Sequence, residues 1–296
     1  MSAKHSYLES IADPHSLVTA IPSGGLFPES LGSALQSYAE DVKEFARLVG
    51  SSASSAALLE SIRRRGAFSA DIRMSHLKLF RRCVSLICDT ENTKKISKVS
   101  TAQIVANYGH TFKPIELLKQ QFATLSSEMV SVLAALLAEN DYRGQSGYAL
   151  TTMFFEWFEF ERQDFSIRGP RRAGPDVELS TVFPMFTGSC PCDFVITARE
   201  TQRVVAVGFA RYDATRGGSQ SDDRPGGNAN KVDKMRDLQN RTGMPFRIIF
   251  LADGPGLTHG DTWKEACVLD GSWEDNVRVA TLKLAPRRIT QDWLTF

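Results

Sequence analysis

Long apolar runs are missing from this chain. No stretch approaches the ~18 consecutive apolar residues of a membrane span, and the first residues lack the basic-then-apolar order of a secretory leader. These absences exclude a membrane protein and make the cytoplasm the expected compartment. Cysteine is scarce and odd in number (Cys83, Cys88, Cys190, Cys192 and Cys267), which excludes a disulfide framework and points to free thiols. Cys190 and Cys192 stand close together without a second Cys/His pair, so no zinc site is expected. An excess of one charge is also lacking. Lys and Arg number 35 against 34 Asp and Glu, so no global basic field announces nucleic acid, although charge gathered locally would serve. The five histidines are scattered, and HExxH, nucleophile-elbow and P-loop patterns are absent. Gly254-Pro255-Gly256 lacks the third glycine of a dinucleotide fingerprint.

What is present is an ordinary globular composition, 42% apolar and 23% charged over 296 residues, enough for one large domain or two small ones. Residues 1–30 are polar and broken by Pro14, Pro22 and Pro28, and read as an irregular arm. Helical spacing then dominates to about residue 145 (31–48, 55–65, 69–89, 101–108, 115–125, 128–139), with a basic linker at 94–100. The segment 148–162 reads as a helix with an aromatic face that also holds Glu156, Glu159 and Glu161. Strand-like runs begin only after about residue 180. The expected organisation is a helical domain over 1–145, for dimerisation or for embracing a partner, followed by an α/β domain over 146–296.

The second half is organised around residues 188–232. Asp193 opens a short apolar run that ends at Ile196, a polar turn follows, and a second run spans Val204 to Ala210, which reads as a hairpin. Arg211 to Asn230 is a long loop rich in Gly, Asp and Arg, and a helix is expected from Lys231 to Asn240. Phe246 to Ala252 is a further strand, 262–269 a helix, and 277–284 a last strand or mixed segment. Within the long loop Arg211, Arg216, Gln220 and Arg224 are the residue types that read base edges. Arg168, Arg171 and Arg172, set between Gly and Pro in 166–176, suit phosphate contacts as well as they suit a bare charged surface.

An acid opening one strand and a hairpin to a second apolar strand resemble the core of the PD-(D/E)XK nucleases. The continuation Phe209-Ala210-Arg211-Tyr212-Asp213, Arg216-Gly217-Gly218-Ser219-Gln220 and Asp222-Asp223-Arg224 resembles type II restriction endonucleases in particular. The resemblance implies a mixed sheet flanked by helices, Mg²⁺-dependent hydrolysis of double-stranded DNA at a specific sequence, and a homodimer suited to palindromic sites. It makes Asp193 a metal ligand, with Glu156 or Glu159 of the preceding helix as a supporting acid. It puts the second carboxylate at Gly208, or two residues earlier at Ala206, and the assisting lysine at Ala210. None of the three has the required side chain. Gly in a strand marks a bulge or a close approach, so two readings stand side by side. Either a carboxylate has been lost at Gly208, or the missing groups come from the following helix at Lys231, Asp233 or Lys234. A sequence-specific DNA-binding protein that keeps the nuclease fold and never cuts is the alternative function.

Overall fold

The computed structural model describes residues 6–22, 25–139, 141, 145–172, 174–214 and 223–295, the last run with side chains from 227 onward. The chain divides into two compact units, Gly24–Arg143 and a second made of Met1–Ser23 with Gly144–Phe296.

The first unit is helical: α1 (Glu29–Ser51), α2 (Ser55–Arg63), α3 (Ala70–Cys83), α4 (Thr90–Thr93), α5 (Thr101–Tyr108), α6 (Ile115–Ala123) and α7 (Ser127–Ala138). Serine side chains cap several of these. Ser54, Ser69 and Ser126 each accept an N–H from the first turn, and Ser100 with Gln103 forms a reciprocal capping box. The apolar stripes meet in one core that includes Phe45, Leu58, Ile62, Phe80, Leu118 and Leu133. Arg63 is buried there because its guanidinium donates to Thr93 O, Val99 O and Thr101 Oγ1. The segment 94–100 that reads as a linker is therefore fixed by an arginine. The helix expected over 69–89 stops at Cys83.

The second unit is α/β, with a mixed five-stranded sheet in the order β1 (Phe165–Arg168), β4 (Phe194–Ala198), β5 (Val204–Tyr212), β6 (Arg247–Asp253), β7 (Val277–Ala280). The first three strands are antiparallel and the last three parallel. A two-residue ribbon, β2 (Val177–Glu178) with β3 (Pro191–Cys192), stands apart, with the short α9 (Leu179–Val182) between its strands. Helix α8 (Gln145–Glu161) precedes β1, α10 (Asp223–Thr242) joins β5 to β6, and α11 (Gly260–Leu269) lies between β6 and β7. A crossover helix is what a parallel pair such as β5 and β6 requires. Phe154, Phe155 and Phe158 of α8 and Val232, Met235 and Leu238 of α10 share one core with the sheet. Each such buried side chain contributes about 1.5–3 kcal/mol.

The first residues form no free arm. Thr19 donates its N–H and hydroxyl to the two oxygens of Asp253 at 2.8 Å each, and Ser6 donates to Asp270 at 3.0 Å. Asp253 is fully buried at the end of β6 and also accepts from Gly254 and Leu282 N–H. No single described helix is long and apolar enough to cross a membrane.

Candidate nucleic-acid interface

The site grows out of the β4–β5 hairpin. Their β-branched runs pair with Phe194 opposite Gly208, Val195 opposite Val207 and Ile196 opposite Ala206. Just ahead of β4, Asp193 donates its N–H to Gly208 O at 2.9 Å and accepts Ala210 N–H on Oδ2 at 2.8 Å. Burial pushes its carboxyl above the usual carboxylate range. The Ala210 bond and Lys231 pull the other way, while Asp176 adds to the rise. A half-buried acid held at elevated pKa next to a cavity is a feature of functional sites.

Gly208 is not a vacant carboxylate position. A Cβ there would stand 1.9 Å from Phe194 Cζ and 2.0 Å from Cε2. Phe194 is fully buried and rests on Phe154 and Phe155, with ring centroids 5.2 and 5.7 Å away. A side chain at 208 would enter the aromatic layer beneath α8, not the cavity beside Asp193. Ala206, two residues earlier, is also fully buried. The expectation of a lost acid at Gly208 is corrected by this packing: glycine is there because the Phe194 ring occupies the space of its side chain.

The cavity beside Asp193 has a volume of about 1030 Å³ and an apolar floor of Phe209, Phe250 and Val279. Phe209 and Phe250 stack at 5.3 Å. Around that floor stand the cations Arg211, Lys231, Arg236 and Lys264. Lys231 Nζ sits 4.2 Å above the Phe209 ring, a cation–π contact that holds the amine without neutralising it. Arg211 Nε donates to Asp213 at 2.6 Å, which aims the guanidinium. The structure thus brings Asp193, Arg211 and Lys231 together.

Other expected residues lie elsewhere. Glu156 is exposed on α8 and does not line the cavity. Glu159 is paired with Arg171 at 2.5 Å, and Arg171 also lies 5.4 Å over the Phe155 ring. Arg168 belongs to strand β1, opposite Val195, so the basic loop begins only after it. Arg168, Arg171 and Arg172 are all exposed. Gly169 lets this loop press on the hairpin: a Cβ there would meet Asp193 O at 2.2 Å. Asp233 and Lys234 are exposed on α10, and only Asp233 lines the cavity. Arg216 and Gln220 lie outside the described residues. The helix containing Arg224 begins at Asp223, ahead of the expected start at Lys231, and the Arg224 side chain lies outside the described residues.

Mg²⁺ needs several oxygen ligands in near-octahedral array. Among the described residues no group of three His, Cys, Asp or Glu side chains comes together. With Glu156 away from the cavity and position 208 facing aromatic rings, the described residues do not fit the ion that the resemblance implies.

Two features escape a reading of the sequence. Asp176 is close enough to act on Asp193, and only its place after Pro175, as a Pro-Asp pair before a strand, hinted at it. Glu178 clamps the turn before β3, accepting from Ser189 Oγ at 2.9 Å and Cys190 N–H at 3.1 Å. The hydrogen bond between the two thiols that follow holds Cys190 down to about 7 against its burial, with Lys234 and Lys231 assisting. The same bond and burial push Cys192 up. Comparisons with protein-family models, curated proteins and solved structures found no match to the chain.

Proposed function

We propose that this chain binds double-stranded DNA with sequence preference, on a core of the PD-(D/E)XK type whose second metal-carboxylate position has been given over to packing. The observation that carries the reading is the order α8–β1–β4–β5–α10–β6, three antiparallel strands and a fourth added in parallel after a helix, with Asp193 opening the middle strand. That is the arrangement expected of the nuclease core. The cations at the cavity and the Arg168, Arg171 and Arg172 group supply local positive charge to a chain of near-zero net charge. Phosphate contacts by such groups give affinity, and Arg side chains reading guanine give preference. The packing at Gly208 favours binding over Mg²⁺-dependent cleavage by a type II restriction endonuclease.

The test is selection of duplexes from a randomised pool, followed by affinity measured across a salt series with and without Mg²⁺, with the DNA afterwards run on a gel. Metal-independent binding that weakens with salt at a log–log slope of about −0.9 per phosphate neutralised, with intact DNA, is the expected result. Discrete Mg²⁺-dependent fragments would restore the endonuclease. Absence of binding at low salt would remove nucleic acid altogether.

A further inference from the structure

Cys190 and Cys192 take no part in the proposed DNA contacts, yet no other two cysteines are so close in the sequence. Both are free thiols and both are buried, at 4% and 0% exposure. The chain around them is extended. Pro191 and Cys192 form β3, with Cys192 opposite Val177 and Pro191 opposite Glu178. Leu179 N–H donates to Cys190 O at 3.1 Å, and the Glu178 carboxylate takes Cys190 N–H. Residues two apart in a strand face the same side, and Cys192 Sγ lies 3.6 Å from Cys190 O. A rise of ~3.3 Å per residue puts the two Cα atoms about 6.6 Å apart, just inside the upper limit of disulfide geometry, ~6.8 Å. Pro191 fixes its own φ and so presets that spacing. A bridge closed at this limit is strained, and strained bridges are the readily reduced ones.

We propose that Cys190 and Cys192 form a reversible oxidation site, closing to an intrachain disulfide one residue from Asp193 when a hydroperoxide supplies the oxidising equivalents. The Cys190 sulfur attacks the terminal oxygen of the hydroperoxide and the O–O bond breaks. Cys190 becomes the sulfenic acid and the alcohol, or water from hydrogen peroxide, departs. The Cys192 sulfur then attacks the Cys190 sulfur, the S–S bond forms, the S–O bond breaks, and water leaves with the Cys192 proton. Two thiols and one hydroperoxide give one disulfide, one alcohol and one water. Near-complete burial admits a small oxidant and keeps bulky disulfides out. Cys83, Cys88 and Cys267 serve as internal controls.

The experiment treats the reduced full chain with one equivalent of hydrogen peroxide, denatures it, alkylates the remaining thiols and maps tryptic peptides by mass. The peptide 173–199 is expected to lose two hydrogens and escape alkylation in most molecules, and to recover both alkyl groups after dithiothreitol. Cys83, Cys88 and Cys267 are expected to stay alkylated. In Cys192→Ser, with its thermal unfolding unchanged, Cys190 should accumulate oxygen adducts and no bridge should form. Oxidation spread evenly over all five cysteines, bridges to a second chain, or full alkylation of Cys190 and Cys192 while another cysteine is oxidised would each overturn the proposal.

Discussion

Gly208→Ala adds a single methyl group to a strand, where replacing glycine by alanine ordinarily stabilises by about 0.5–1 kcal/mol. Here the sign should reverse. The new Cβ would stand 1.9 Å from Phe194 Cζ, against an ordinary carbon–carbon contact of about 3.5–4.0 Å, so the ring must retreat by more than ~1.5 Å. It has nowhere to go, because Phe154 and Phe155 back it and interiors are packed without spare volume. Overpacking costs about 1–3 kcal/mol, and a clash with a fully buried ring belongs at the upper end. For a unit of this size a 3 kcal/mol loss lowers Tm by roughly 6–12 °C. The reading is clean because all four tryptophans, Trp157, Trp263, Trp273 and Trp293, lie in the second unit, so their fluorescence in urea follows that unit alone. The decisive arm is a double-mutant cycle with Phe194→Leu, which removes the end of the ring. In that background Gly208→Ala should cost little, leaving a coupling of about 2–3 kcal/mol. An alanine at 208 that is neutral or stabilising in the natural background would refute the steric account, as would an equal loss in both backgrounds.

Asp193→Asn tests the cost of holding that carboxylate. Its pKa is raised in the fold, so the natural chain is favoured below the unfolded value and loses stability as pH rises through the folded one. The asparagine chain should show a flatter profile and greater stability at pH 7 in urea titrations. Lys231→Ala and Arg211→Ala should each weaken duplex binding and reduce the magnitude of the salt slope by about one. An unchanged slope would take those side chains off the DNA. Asp253→Ala leaves the N–H groups of Thr19, Gly254 and Leu282 without their acceptor. The loss should be about 3 kcal/mol or more, read by the same tryptophan fluorescence. His76 is buried and its pKa lowered by that burial, though Glu44 opposes it. Stability of the helical unit should therefore fall as pH drops below about 6.5, a dependence that His76→Leu should abolish in circular dichroism melts.

Local pattern carried most of the fold. The helical spacing over Leu31 to Leu48 and the β-branched runs of β5 and β6 state their conformations in a few residues. Strand β1 was hidden because Phe165–Arg168 is short and runs straight into Gly-Pro-Arg-Arg, so its charge reads as loop. Asp193 was legible as an acid at the mouth of an apolar run. The meaning of Gly208 was not, because it depends on Phe194 across the hairpin and on two rings from α8 behind it. Thr19 and Asp253 meet across 234 residues, a separation at which no local pattern operates.

The return of the first residues to the second unit makes the helical unit an insertion within another domain. During synthesis the strap from Ser6 to Pro22 emerges first, and its acceptors Asp253 and Asp270 emerge near the end. The helical unit is complete in the growing chain long before the sheet can close. Expression from residue 144 onward would yield a sheet whose buried aspartates have lost donors. A usable fragment must instead rejoin Pro22 to Gln145 through a short linker, in effect excising the guest and resealing its host.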